Sequence, residues 1–188
     1  MIEAELKARV TDPEALHATL EAAGGEPERA TYADAYYDRG GALTAEGREL
    51  RVRTVTTAAG ARTMLTYKGP VLDTATGSKT EAETRVEDAG AVSAILEGLG
   101  YAPFIALTKH CANYQISTPA GRKVLATVVE VPELDGTFLE VETIVEDEAT
   151  MAIALDDLRA LLLDLDIEPG ALTTELYTEA VGAARKRD

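Results

Sequence analysis

The chain has 188 residues and a mass of 20.0 kDa, a size that suits a single domain. Its 33 acidic and 18 basic side chains give a formal charge of −15, so its surface should repel nucleic acids and anionic membranes. One cysteine excludes an intramolecular disulfide, and two histidines lack the spacing of a zinc hydrolase. The charged N-terminus and the lack of a long apolar run predict a cytoplasmic protein.

The first predicted elements are a strand and a helix. Apolar and charged residues alternate over Ile2–Val10, which is the period of a strand with two different faces. Asp12 as N-cap, Pro13 at the first helical position and a Gly-Gly pair at 24–25 predict a helix between them. His17 is not on the leucine stripe of this helix. We expect it at the solvated surface, with no catalytic role.

Strand-like segments then recur along the middle of the chain. They are separated by glycine- and proline-rich turn signals, as expected for antiparallel hairpins and meanders. The predicted strands are Thr31–Asp38, Glu49–Thr56, Arg62–Lys68, Thr80–Glu87, Asn113–Thr118, Lys123–Val131 and Thr137–Val145.

Three further helices are predicted. A helix over 89–99 has apolar residues at i, i+3, i+4 and i+7 and ends at a glycine. A second runs from an Asp147 cap to Leu165, and Thr173 or Thr174 caps a last helix that ends near 181. We therefore expect one domain over 1–188, with C-terminal helices at about 147–184 packed on the sheet.

Charged residues repeat at every second position of several strands. Glu3, Glu5 and Lys7 share one face of the first strand, because side chains alternate. The pattern returns at Arg51 and Arg53, Lys68, Glu81 and Glu83, and Glu140 and Glu142. Any one of these faces could lie in water, but like charges at i and i+2 repel unless an opposite charge lies between them.

A barrel would bring these charges together. If the sheet curls, the charged faces line a tunnel and helices cover the apolar faces, Ala82 and Val86 included. The sequence therefore predicts an α+β fold, a closed or nearly closed antiparallel β-barrel with flanking helices. Paired glutamates are ligands that Mg²⁺ or Mn²⁺ prefers, and arginine and lysine bind phosphate oxygens. Both halves of a phosphate site are present.

Seven motifs follow one another along the chain. They are E-x-E-x-K at 3–7, YYD at 36–38, LRVR at 50–53, LTYKGP at 65–70, E-x-E at 81–83, Lys109 with Tyr114, and GTFLEVE at 136–142. In these motifs and their order, the chain resembles the CYTH superfamily. The resemblance covers residues 1 to about 177. It implies a triphosphate tunnel, a fold found in class IV adenylate cyclases and in thiamine-triphosphate and inorganic triphosphate hydrolases.

The resemblance also implies roles for individual residues. Metal ligands would be Glu3, Glu5, Glu140 and Glu142, with Glu81 and Glu83 as further ligands or supports. Phosphate contacts would be Lys7, Arg51, Arg53, Lys68 and Lys109, of which Lys7, Lys109 and Arg53 would also be catalytic. Tyr36 and Tyr37 are expected to pack at the tunnel wall, and Asp38 to support a basic neighbour.

Three positions depart from the family pattern. Cys111 stands where an arginine usually follows Lys109, so one phosphate contact is missing. Val129, with Glu130 beside it, stands where an aspartate is common, and Lys79 replaces an arginine before the E-x-E pair. Lysine keeps the charge of arginine but loses its bidentate fork. We interpret Cys111 as a small buried side chain rather than a nucleophile.

Three functions follow from the resemblance. The first is a class IV adenylate cyclase, a lyase that converts ATP to cyclic AMP and pyrophosphate with Mg²⁺ or Mn²⁺. The second is a hydrolase of inorganic or organic triphosphates. The third, suggested by Cys111 and Val129, is an enzyme redirected to a diphosphate substrate, or a protein that binds phosphate compounds without turnover. The expected partner is a nucleoside triphosphate or polyphosphate, and the family's cyclases suggest a homodimer.

Overall fold

Eight antiparallel strands form a closed barrel. The strands are β1 Ile2–Val10, β2 Glu28–Asp38, β3 Glu49–Thr57, β4 Gly60–Val71, β5 Lys79–Val86, β6 Ala102–Ser117, β7 Lys123–Glu130 and β8 Thr137–Val145. In the computed structural model, which describes residues 1–187, they follow one another around the barrel in the order β1-β5-β4-β3-β2-β6-β7-β8. The predicted barrel is confirmed.

Helices occupy the connections between strands. They are α1 Pro13–Gly24, α2 Ala42–Ala45, α3 Ala89–Gly98, α4 Glu148–Asp164 and α5 Tyr177–Ala184, with a 3₁₀ turn at Pro169–Ala171. The predicted caps Asp12 and Asp147 are confirmed, because each carboxylate accepts a hydrogen bond from the backbone N–H three residues later. Within residues 1–187, no helix is both long and apolar enough to cross a bilayer.

Strand register places the charged side chains inside the barrel. Glu5 lies opposite Glu142 and Lys7 opposite Glu140 where β1 pairs with β8. The alternate residues of the same strands face outward and are apolar, and Leu139 and Val141 are completely buried. The tunnel is defined from here on as the charged cavity inside the barrel.

The outer apolar face is covered unevenly. Helices α1 and α4 cover the side formed by β1, β6, β7 and β8, and side chains such as Leu20 and Leu158 are fully buried there. Each such burial contributes about 1.5–3 kcal/mol. The expected cover over Ala82 and Val86 is wrong: Ala82 is exposed and Val86 only half-buried, because α3 packs on β3 and leaves β5 uncovered.

Several boundaries differ from the sequence prediction. Strand β2 begins at Glu28 rather than Thr31, and β4 extends beyond its predicted range at both ends. Strand β6 begins at Ala102 rather than Asn113, and its residues 102–113 pair with β2. The last helix begins at Tyr177, and neither Thr173 nor Thr174 caps it. Instead, the Thr173 N–H donates to the Lys7 carbonyl (2.9 Å), which ties the segment before α5 to β1.

Two side chains, His17 and Tyr37, have surroundings in the structure that differ from those predicted from the sequence. His17 is half-buried rather than solvated, because its Nδ1 lies 2.6 Å from the hydroxyl of buried Tyr114. Tyr37 does not line the tunnel as its neighbour Tyr36 does. It packs with Val52 and Leu96 on the outer face, since adjacent strand residues point to opposite sides.

Asp38 stabilises the turn after β2 rather than a basic side chain. Its carboxylate accepts hydrogen bonds from the backbone N–H groups of Arg39 (2.6 Å), Leu43 (3.0 Å) and Thr44 (3.0 Å), and from the Thr44 hydroxyl (2.6 Å). Burial raises the pKa of Asp38, but these hydrogen bonds outweigh it and lower the pKa from 3.8 to about 2. Asp38 thus holds the short helix α2 at the barrel rim.

Replacing this carboxylate should destabilise the fold in a pH-dependent way. We expect Asp38→Ala to lower the free energy of unfolding by about 2 kcal/mol at neutral pH. The depressed pKa means that the stabilisation is present above pH 4 and lost as the pH falls through 2. Urea unfolding at pH 7 and pH 2.5 should therefore show a smaller gap between variant and wild type in acid. Asp38→Asn keeps a hydrogen-bond acceptor, so its free energy of unfolding should fall less than that of Asp38→Ala. An equal fall for both variants would contradict the role of Asp38 in stabilising the turn.

Candidate metal and phosphate site

Three carboxylates meet on one wall of the tunnel. Glu3 and Glu5 come from β1, and Glu142 comes from β8, opposite Glu5. One ligand oxygen from each lies within 4.8 Å of the others. Glu3, Glu5 and Glu142 are called the carboxylate triad below. Hard oxygen ligands of this kind suit Mg²⁺ or Mn²⁺, so the donor set fits a divalent metal.

The carboxylate triad is electrostatically strained without a cation. Burial raises the pKa of Glu5 to about 7, with Lys68 opposing the shift and Glu140 and Glu3 adding to it. Burial, followed by repulsion from Glu3 and Glu5, raises the pKa of Glu142 well above its usual value. Three carboxylates this close, one buried and two half-buried, hold their full negative charge only beside positive charge.

Two further carboxylates, Glu81 and Glu83, lie close to cations next to the triad. Lys68 contacts Glu3 and lies 3.3 Å from Glu81. Arg51 lies 3.9 Å from Glu83 and donates to the Thr66 hydroxyl (3.3 Å). Glu81 and Glu83 thus lie near cations of the tunnel, and their role as further ligands or supports stays a prediction.

Lys79 and Glu49 form another buried pair in this part of the tunnel. The Lys79 ammonium contacts the Glu49 carboxylate, and Lys79 is buried. Burial raises the pKa of Glu49, but attraction by Lys79 outweighs it and leaves the pKa lowered. The lysine that replaces the family's arginine thus keeps a carboxylate partner.

Arg53 is held by a partner that the sequence analysis missed. Its Nε and Nη2 donate to the two oxygens of Asp34 at 2.6 and 2.7 Å, and its guanidinium lies 4.5 Å from the centre of the Tyr32 ring. Asp34 was detectable, because Tyr32, Asp34 and Tyr36 alternate on the face of β2 that points inward. Two of the five N–H donors of Arg53 are used in this fork, so others remain for a ligand.

Lys7 and Lys109 flank one aromatic ring, that of Tyr177. Their ammonium groups lie 4.5 and 4.1 Å from its centre, and Lys109 is 3.5 Å from Glu140. Burial lowers the pKa of Lys7, although Glu140 and Glu5 oppose this. Burial raises the pKa of Glu140, but Lys109 and Lys7 lower it to about 2. The two lysines, called the lysine pair below, are therefore fixed by an aromatic ring and an ionised carboxylate.

The segment before α5 lies across the same end of the tunnel. The Lys7 ammonium donates to the Glu175 carbonyl, and the Arg9 guanidinium lies 2.6 Å from the Glu175 carboxylate. Neither Glu175 nor Tyr177 was a candidate from sequence. No charge periodicity marks them, since they lie in a loop and a helix that reach the tunnel only in the folded chain.

The two apolar departures from the family pattern are neighbours. Cys111 on β6 pairs directly with Val129 on β7. Both are buried, at 5% and 0% exposure, in a cluster with Phe138 and Tyr177. Burial raises the pKa of the Cys111 thiol to about 12, which makes it a poor nucleophile. Loss of a positive and a negative side chain at facing positions leaves the tunnel charge unchanged.

All eleven residues that the resemblance assigned to metal or phosphate line one cavity of about 290 Å³. They are Glu3, Glu5, Lys7, Arg51, Arg53, Lys68, Glu81, Glu83, Lys109, Glu140 and Glu142. Carboxylates able to hold a cation thus face lysines and arginines able to hold an anion. This geometry defines a tunnel for a metal-associated polyanion.

Comparisons with known proteins identify a family to which such a tunnel belongs. The sequence model of the CYTH domain matches residues 1–177, and the chain belongs to the CYTH domain family. A search of curated proteins returned no match. The barrel is the triphosphate-tunnel fold of that family.

Three solved structures share the fold. The PH1819 protein from Pyrococcus horikoshii OT3 is 24% identical, with a TM-score of 0.84 over 96% of this chain and 98% of that one. A Vibrio parahaemolyticus protein provisionally assigned as an adenylate cyclase is 22% identical, with a TM-score of 0.80 over 97% and 98%. The Hippeastrum protein HpAC1, a provisionally assigned adenylyl cyclase with a dominant triphosphatase activity, is 17% identical, with a TM-score of 0.64 over 97% and 96%.

Neutralising Glu5 should change the pH dependence of stability. The pKa of Glu5 is raised from 4.5 to about 7, so its contribution is fully present below pH 4.5 and is lost as the pH rises through 7. Glu5→Gln lacks this loss, and its free energy of unfolding relative to wild type should rise by about 2–3 kcal/mol between pH 4.5 and 8. Chemical denaturation without divalent metal measures this difference, with exposed Glu97→Gln as the control. A pH-independent difference would contradict the electrostatic account.

The Cys111–Val129 pair can be tested by restoring the family's charges. Cys111→Arg alone places a buried charge against fully buried Val129 and should cost about 3–5 kcal/mol. Adding Val129→Asp should recover at least about 1.5 kcal/mol through pairing across β6 and β7. Urea unfolding of the two single variants and the double variant gives the coupling energy. Additive losses would show that these positions do not act as a pair.

Proposed function

We propose that this protein is a metal-dependent enzyme that breaks a phosphoanhydride bond of a nucleoside triphosphate, with adenylate cyclase as the first candidate activity. The observation that supports this most is the placement of the carboxylate triad in one closed tunnel with Lys7, Lys109, Arg51 and Arg53. A cation and a phosphate chain need both kinds of group at once.

The cationic side chains would hold the phosphate chain. Arg51 and Arg53 offer planar N–H donors to phosphate oxygens, while Lys68 and the lysine pair act as point charges. The contacts of Arg53 with Asp34 and of the lysine pair with Tyr177 fix these groups before substrate arrives. Fixed donors need little reorganisation as charge develops on the phosphoryl oxygens.

In the cyclase reaction, the ribose 3′-oxygen forms a bond to the α-phosphorus of ATP. The bond between that phosphorus and the bridging oxygen of pyrophosphate breaks, and the hydroxyl proton is released. Mg²⁺ or Mn²⁺ bound by the carboxylate triad, with Glu140 nearby, would lower the pKa of the attacking hydroxyl and offset the charge of departing pyrophosphate. Lys7, Lys109 and Arg53 would stabilise charge on the transferred phosphoryl group.

Hydrolysis of a triphosphate is the second candidate. Every residue assigned to the tunnel would contact metal or phosphate, and none is assigned to a ribose hydroxyl, so water could replace the attacking oxygen. HpAC1, which has the same fold, has a dominant triphosphatase activity. Both reactions use the same chain residues and differ in the nucleophile and in the phosphorus attacked.

A product analysis separates these reactions. The purified protein is incubated with ATP, tripolyphosphate or thiamine triphosphate, each with Mg²⁺ or Mn²⁺, and the products are resolved by chromatography. We expect cyclic AMP and pyrophosphate from ATP. Orthophosphate as the main product would assign the hydrolase, and binding without turnover would assign a phosphate-binding protein.

Removing one member of the carboxylate triad should abolish the turnover. Glu142→Gln keeps the shape of the side chain but removes a charged ligand, so we expect at least a 100-fold lower kcat/KM, or about 2.7 kcal/mol. Glu97→Gln, on the exposed face of α3, should retain wild-type turnover. Full activity of Glu142→Gln would show that the carboxylate triad is not the metal site.

A further inference from the structure

A second cavity lies at the barrel rim beside the tunnel. It has a volume of about 250 Å³, just below the range of about 300–1,000 Å³ for pockets that enclose drug-sized ligands. It is called the side pocket here, and its walls include Tyr36, Tyr37, Arg48, Leu50, Phe104 and Leu176. The charged residues Arg48, Glu49, Lys79 and Glu179 also line the side pocket, but most of the surface that faces it is apolar, whereas most of the surface that faces the tunnel is polar.

The side pocket adjoins the tunnel. Tyr36, Glu49, Lys79, Leu176 and Thr178 line both cavities. A molecule whose phosphates lie in the tunnel would reach the side pocket by passing these residues. The only two charged groups on this shared wall, Lys79 and Glu49, neutralise each other, so the wall does not attract a further phosphate.

Phe104 offers a ring face to a ligand. It is 54% exposed although it lies within a strand, and its ring centre is 6.4 Å from that of Tyr36 at a tilt of 59°. Large apolar side chains are usually covered, and an exposed aromatic ring beside a cavity is typical of a stacking site.

Arg48 supplies hydrogen-bond donors at the same place. One of its terminal nitrogens lies 2.9 Å from Glu46, and its side chain is 39% exposed. A guanidinium has five N–H donors, so terminal N–H groups of Arg48 remain for a ligand. A ring nitrogen or carbonyl oxygen of a planar heterocycle would accept a hydrogen bond from one of them.

We propose that the side pocket binds the heteroaromatic base of an organic triphosphate, with the base stacked on Phe104 and accepting a hydrogen bond from Arg48. This inference rests on the proposed function, because it places the phosphates of the same molecule in the tunnel. It identifies the substrate class as an organic triphosphate with a planar base, in preference to inorganic polyphosphate. Phe104 and Arg48 line only the side pocket, so they can be changed without altering the tunnel.

Binding of ATP and of tripolyphosphate tests the proposal. Isothermal titration calorimetry gives both dissociation constants for wild type and Phe104→Ala, under conditions without turnover (Ca²⁺ in place of Mg²⁺). Loss of one stacking contact should weaken ATP binding by about tenfold or more and leave tripolyphosphate binding within twofold. Phe104→Tyr should restore ATP binding, and Arg48→Met should weaken ATP binding alone. Ile153→Ala, at an exposed position of α4, is the matched control.

The outcomes separate this inference from the proposed function. If Phe104→Ala weakens the binding of ATP and of tripolyphosphate equally, or weakens neither, the side pocket is not the base site. If wild type binds ATP more tightly than tripolyphosphate and Phe104→Ala removes the difference, the inference holds even where no turnover is found. Turnover of triphosphates with no effect of Phe104→Ala would overturn the inference and leave the proposed function standing.

Discussion

The structure depends on keeping buried charges in balance inside a closed barrel. The tunnel is lined by seven glutamates and seven lysines or arginines, although the whole chain carries a formal charge of −15. The excess acid is therefore elsewhere in the chain. Because a buried charge without a partner costs several kcal/mol, Arg53, Lys68, Lys79 and Lys109 each fix a carboxylate and are fixed by it. This mutual positioning gives the site its rigidity, and the outer helices supply the apolar burial that holds the barrel closed.

Strict alternation explains how much of this arrangement could be predicted from the sequence. In the middle of β1, β3 and β8, charged inward residues alternate with apolar outward ones, so a period of two reveals both the fold and the site. The first half of β6 lacks that contrast. Its inward face mixes Leu107, Lys109 and Cys111, because this part of the barrel interior is apolar. The pattern therefore concealed the strand up to Asn113.

Residues that reach the tunnel from irregular segments could not be predicted in this way. Tyr177 lies at the start of a helix, and its position depends on the backbone hydrogen bond between Thr173 and Lys7. That contact joins segments more than 160 residues apart, and local propensity carries no information about it. Asp34 is a different case. It lies in a strand that was predicted, and only its pairing with Arg53 required the register of β2 and β3.

Charge balance also constrains how a ligand can enter the tunnel. Before any ligand binds, the carboxylate triad has too much negative charge for its immediate surroundings, while the lysine pair and Arg51 have N–H donors to spare. A phosphate chain alone would add several negative charges to a lining that is already neutral as a whole. A divalent cation alone would offset the negative charge of the carboxylate triad, but it would add to the positive charge around the lysine pair. The two together satisfy both walls at once, so metal and triphosphate should bind with positive coupling, each raising the affinity of the other.

An uncharged apolar group of a ligand cannot take part in these charge interactions. Its most favourable place is therefore at the barrel rim, where Tyr36 and Phe104 provide an uncharged surface.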